Sequence, residues 1–175
     1  MITTYRTEFK RYRTLIDGAL AQLSDAAINV APMEGGNSVA MLLAHLAGNL
    51  RSRFTDFLTT DGEKTWRDRD GEFASTEYDR TTIEAESRAG WDVLEAALDS
   101  LTDGDLEREV MIRGVALTAD EALARSLAHV AYHTGQIVLL AQMQVGEDWK
   151  SLSIPRGGSH AYNANPTLEK GPSGT

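Results

Sequence analysis

Cysteine is absent from this 175-residue chain. Its absence excludes disulfides, thiolate metal sites, CxxCH haem attachment and cysteine nucleophiles. It also fits a reducing compartment. Long apolar runs are missing too, so no segment reaches the length that a membrane-spanning helix needs. The first residues, MITTYRTEFKRY, are charged and carry no apolar signal core. Positive charge is in deficit: 17 Lys and Arg face 26 Asp and Glu, a net charge of −9. That balance argues against nucleic acid or an anionic membrane surface as the principal partner. Together these absences lead us to expect a cytoplasmic protein that meets small molecules. Hydrophobic residues make up 42% and charged residues 25%, which suits one globular domain with a core of its own.

The apolar spacing along the chain is helical. Tyr5, Phe9, Tyr12, Leu15, Ile16, Leu20 and Leu23 predict a first helix over residues 2–24. Pro32 and Gly35-Gly36 mark a connection, after which Asn37 or Ser38 caps a second helix ending near Thr60. Its stripe is Val39, Leu42, Leu43, Leu46, Leu50, Phe54 and Phe57. Residues 61–80 read as a polar bridge. Thr81-x-x-Glu84 forms a capping box for a third helix bearing Ile83, Trp91, Leu94, Leu98 and Leu101. Val110, Ile112, Val115 and Leu117 around Arg113-Gly114 predict a short hairpin. A second box, Thr118-x-x-Glu121, opens a fourth helix that runs to about Gln144. The fold class expected is all-α: a four-helix bundle with an extended excursion before the last helix and an irregular C-terminal tail. We expect one domain over residues 1–166 and a disordered end over 167–175.

Two of the four histidines, His129 and His133 in AHVAYHTGQI, lie four residues apart and so share a helix face. A third, His45 in SVAMLLAHLAGNL, borders the apolar stripe of the second helix. If the three meet, they form a three-nitrogen site with one coordination position open to water or substrate, as in catalytic zinc sites. The pair alone describes half-buried histidines without a ligand equally well, so that alternative stays open. Other metal motifs are absent: Val130 occupies the glutamate position of HExxH, and no glutamate stands three residues before any histidine. His160, in GGSHAYN, reads as a loop histidine rather than a fourth ligand. The glycine pairs 35–36 and 157–158 read as turns, and no carboxylate lies at a spacing that nominates it as a general base.

These histidines and three flanking blocks resemble the DinB/YfiT-like superfamily of metal-binding four-helix bundles. The blocks are WRDRDGEF (66–73), EALARSLAHVAYHTGQI (121–137) and WKSLSIPRGGS (149–159), and together they look like one branch of it. The resemblance implies an up-down-down-up bundle, whose long crossover residues 61–80 could supply. It implies a zinc or nickel site on His45, His129 and His133. Relatives in that superfamily include bacillithiol- and mycothiol-dependent S-transferases and a mycothiol-dependent maleylpyruvate isomerase. The expected function is therefore a metal-dependent enzyme, a thiol-dependent transferase or isomerase or a hydrolase-like enzyme, using a low-molecular-weight thiol. The alternative is a non-catalytic metal-binding or interaction protein on the same bundle. Arg67, Arg69, Arg125 and Arg156 are candidates for anchoring an anionic substrate or cofactor. Asn49 and Gln136 are candidates for orienting a ligand or bound water. Tyr132 points away from its flanking histidines and receives no role. A homodimer is expected from the resemblance, and from Trp149, Leu152, Ile154 and Pro155, which need a surface to pack on.

Overall fold

A computed structural model of the chain describes residues 1–74 and 77–167. Four long helices dominate it: α1 (Ile2–Leu20), α2 (Val39–Phe54), α3 (Arg80–Ser100) and α4 (Ala119–Val145). A two-stranded hairpin, β1 (Glu109–Ile112) and β2 (Val115–Thr118), precedes α4, and a short α5 (Ser159–Ala164) follows it. The structure is thus an all-α bundle with one small antiparallel ribbon. Among the described residues, no helix is long and apolar enough to cross a membrane. The predicted disorder at 167–175 falls, from residue 168 onward, outside the described residues.

α2 is the central helix. Thirteen of its sixteen residues are buried, including both flanks of the predicted stripe, which is how a helix wrapped by neighbours on several sides reads. Leu42, Leu43, Leu46 and Leu50 meet Phe9 and Ile16 from α1, Ile83, Leu94 and Leu98 from α3, and Leu123, Val130 and Ile137 from α4 in one core. Each such side chain contributes about 1.5–3 kcal/mol on full burial. Gly90 lets α3 lie directly against α2, since a Cβ there would sit 2.8 Å from the Ala47 Cα.

Polar contacts at the helix ends fix the directions. Asp103, just beyond α3, accepts from the Met1 and Ile2 nitrogens at 2.9 and 2.6 Å. Arg80, opening α3, donates to the Leu20 and Leu23 carbonyls at the end of α1. α1 and α3 therefore run in opposite directions. Tyr5 donates to Asp120 at 2.9 Å, and Gln22 donates to the Lys150 carbonyl beyond α4, so α1 and α4 run the same way. The chain returns from α2 to α3 through residues 55–79.

Three boundaries and the tail differ from the sequence reading. α1 ends at Leu20 rather than residue 24, and α2 ends at Phe54 rather than near Thr60. Phe57 is still buried, so the apolar pattern outlasts the helix. Asp79, not Thr81, caps α3: its carboxylate accepts from the Thr82 amide at 2.8 Å, while Glu84 accepts from Arg80. The irregular tail contains α5. The other capping expectations match, with Ser38 on α2 and the Thr118–Glu121 box on α4.

The hairpin turns at Arg113 (φ 55°) and Gly114 (φ 72°), the left-handed pair that a two-residue loop between twisted strands demands. Asp61 clamps it. Its carboxylate accepts from the amides of Arg113 (2.8 Å), Gly114 (2.7 Å) and Glu63 (2.7 Å). Gly62 donates in turn to the Met111 carbonyl at 2.8 Å. The backbone bonds from Glu63, Gly114 and Arg113 hold the Asp61 carboxyl below its usual range. The crossover is thereby tied to the hairpin, above one end of α2 and α4.

Candidate metal centre

His45 projects from α2, and His129 and His133 from successive turns of α4. The structure brings all three together: one ring nitrogen from each lies within 4.8 Å of the other two. The imidazoles form a triangle with centroids 4.6, 4.9 and 5.1 Å apart, edge to face. Four-coordinate zinc with bonds of about 2.05 Å spaces its nitrogens by roughly 3.3 Å, so small rotamer adjustments suffice to close this triangle on an ion. His45 and His133 are 4% and 9% exposed.

Hydrogen bonds set which nitrogen each ring offers. His45 Nδ1 lies 2.9 Å from Glu72 Oε2. Burial pulls the Glu72 carboxyl up, but hydrogen bonds from His45 and Arg67 and the Arg67 charge outweigh it and hold the carboxyl below its usual range. Glu72 therefore only accepts, His45 donates from Nδ1, and its Nε2 lone pair turns toward the other histidines. His133 Nδ1 donates to Gln136 Oε1 at 2.7 Å, leaving Nε2 free in the same way. A histidine whose second nitrogen is held by a carboxylate or carbonyl is the usual metal-ligand arrangement.

His129 completes the set. Its Nε2 lies 3.1 Å from that of His45, while its Nδ1 is buried with no partner among the described residues. Burial, then the nearness of His133, His45, Arg67 and Arg53, pushes the His129 pKa down to about 3. Burial also lowers that of His133, against the opposing Gln136 bond. Both rings are neutral near pH 7, the form a metal requires. The donor set, the tautomers and the clustered nitrogens fit a divalent transition metal.

The turn carrying Glu72 is built by its own block. Asp68 accepts from the Gly71 amide, Tyr78 donates to the Glu72 carbonyl, and Asn29 holds Tyr78 through two backbone bonds. Phe73 stacks on His45 at 4.8 Å. Gly48 leaves the space that the Glu72 carboxylate fills, because a Cβ there would collide with it. Arg67 grips Glu72 with two parallel bonds of 2.8 and 2.9 Å, its side chain 2% exposed.

A cavity of about 180 Å³ opens beside His45 and His129. Arg67, Arg69 and Arg125 line it, as does Asn49. Arg156 does not: it is an exposed residue of the segment that follows Trp149, Lys150 and Leu152, and Leu152 packs on Gly18 of α1. Among the described residues, Asn49 makes no hydrogen bond to a histidine. Tyr132, given no role by its helical position, takes part through its hydroxyl, which accepts from Gln136 at 3.3 Å. His160 lies on α5 and is not one of the clustered histidines. Sequence reasoning missed Glu72, Arg53, Arg113 and Ser126. Glu72 stood within the WRDRDGEF block, but its partner His45 lies 27 residues away and no local spacing links them.

Fold and site define a helical-bundle protein with a buried three-histidine cluster able to hold a metal ion. The chain belongs to the DUF1572 family, a family of proteins of unknown function, whose model matches residues 1–158. Comparison with curated proteins and with solved structures gives no match.

Proposed function

We propose that the protein is a metal-dependent enzyme of the DinB/YfiT-like type, a thiol-dependent transferase or isomerase working at His45, His129 and His133. The observation that carries this reading is the pairing of three clustered imidazoles with a cavity beside them. A site meant only to brace the fold would be closed by a fourth protein ligand. Zinc or nickel suits imidazole donors. When bound, such an ion supplies a Lewis-acid position that favours the anionic form of a thiol or water. Glu72 and Gln136 hold two of the rings in the ligating tautomer. Arg67 keeps Glu72 ionised and in place. The cavity admits the reacting end of a substrate, and the guanidinium groups around it favour a negatively charged one.

Elemental analysis of protein prepared under metal-replete conditions tests the first half: we expect about one equivalent, and less than about a tenth would overturn the reading. A panel of low-molecular-weight thiols against electrophiles tests the second, with His133→Ala as control. Equal rates in the two proteins would remove catalysis from this site.

A further inference from the structure

The cavity beside the histidines reverses the charge of the chain. In a protein with net charge −9, five arginines line this one space and no acidic residue does. They are not equivalent. Arg67 is closed off by Glu72. Arg53 and Arg113 share Glu63, at 3.5 and 2.9 Å. Arg69 lies over the Phe73 ring at 5.6 Å, and the only carboxylate it reaches is that of the fully exposed Asp70, at 3.9 Å. Arg125 makes no hydrogen bond or ion pair among the described residues. Three carboxylates thus answer five guanidinium groups, and the one on Asp70 is solvated. About two positive charges, on the exposed Arg69 and Arg125, remain at the rim of a concave space, and their field there favours an anion.

A second observation points the same way. Ser126 lines the cavity one turn before His129, 7% exposed, and its hydroxyl has no partner among the described residues. A buried hydroxyl left unmade costs about 1–3 kcal/mol, which a ligand oxygen would recover. The space also limits size. At about 180 Å³ it falls below the roughly 300 Å³ at which pockets begin to hold drug-sized ligands.

We propose that this cavity binds a small acid carrying two negative charges, held through its carboxylate or phosphate oxygens by Arg125, Arg69 and the Ser126 hydroxyl. The assignment rests on the metal-centre reading for its chemistry: an acid anchored one turn before His129 places its far end against the histidine cluster. Arg53, Arg67 and Arg113, already engaged, form the walls and supply the longer-range field.

Calorimetric titration of the zinc-loaded full-length protein tests it, with malonate, succinate and inorganic phosphate as probes and malonamide as the neutral match for malonate. At least one dianion should bind about tenfold or more tightly than malonamide. The Arg69→Gln/Arg125→Gln double variant should lose about tenfold or more of that affinity while keeping its zinc. Arg125→Lys, which retains the charge without the planar fork, should fall between the two. Equal binding of malonate and malonamide, or equal affinity in wild type and double variant, overturns the assignment, and if zinc is retained the metal centre stands. Dianion selectivity in a protein that takes up no zinc supports the acid site and overturns the metal-centre reading instead.

Discussion

Two arginine-rich clefts of this bundle put the same residue to opposite uses. Between α1 and α3 lies a space of about 370 Å³ lined by Arg13, Arg80 and Arg88 together with Asp17 and Glu84. There Arg13 pairs with Glu95 at 2.7 Å, and Arg80 with Glu84 at 2.7 Å while also holding two carbonyls at the end of α1. Between α2, α4 and the hairpin lies a space half as large, lined by five arginines and no acid. The larger cleft is electrically settled and joins helices. The smaller one is not settled, and it adjoins the only described cluster of metal-ligating groups. Volume alone would rank these clefts the wrong way round; charge balance separates them.

The comparison breaks most sharply at the histidines. His133→Ala should lower zinc affinity by about a hundredfold or more, read by competition with a chromogenic chelator, because two nitrogens hold the ion far less well than three. Glu72→Gln should cost about 10–100-fold in the same assay, since it weakens the acceptor that fixes the His45 tautomer and leaves the buried Arg67 without its counter-charge. Gly48→Ala should act in the same direction by displacing that carboxylate from its space on α2.

pH sharpens the contrast, because the α1–α3 cleft contains no histidine. In metal-free protein His129 resists protonation down to about 3, whereas an unfolded chain takes up that proton near 6.5. Above 6.5 the ring is neutral in both states and nothing is lost. Between 6.5 and 3 the unfolded chain binds more protons, so stability falls as pH falls. Urea midpoints of chelator-treated protein at pH 7.5 and 5 should show the drop, and His129→Gln should flatten it. The smallest effects belong to the settled cleft. Arg80→Ala should cost about 2 kcal/mol of stability through its lost carbonyl bonds, with zinc content unchanged. Glu95→Gln, in a more exposed pair, should cost under about 1 kcal/mol.

Much of the fold could be read from spacing, because the core is built from helical stripes whose members are near in sequence. Ser38 and the Thr118–Glu121 box were readable for the same reason: a cap is decided within four residues. The Thr81–Glu84 box was a false match, since Asp79 reached the Thr82 amide first and Arg80 drew Glu84 away. The predicted end of α2 overshot because Phe57 stays in the core after the helix has stopped. At the site, two histidines were readable as one helix face, and His45 as a residue facing inward. Glu72, Arg53 and Arg113 were not, because they arrive from the crossover, from a helix flank and from a hairpin turn. Their meeting is a property of the tertiary fold. Arg156 shows the converse: it was a candidate anchor for an anion on the strength of its block near the chain end, and the structure leaves it outside the cavity.

The Asp61 clamp has a dynamic consequence. One carboxylate ties residues 61–63 to a turn some fifty positions later, and Arg53 leans on the same stretch through the Gly62 carbonyl at 2.6 Å. Such a unit does not fray strand by strand; its amides open and close together. The amides of Glu63, Arg113 and Gly114 should therefore show one shared protection factor against exchange with solvent. Because Arg53 and Arg113 line the cavity and both hold Glu63, the stability of this unit also sets how firmly that wall is kept in place.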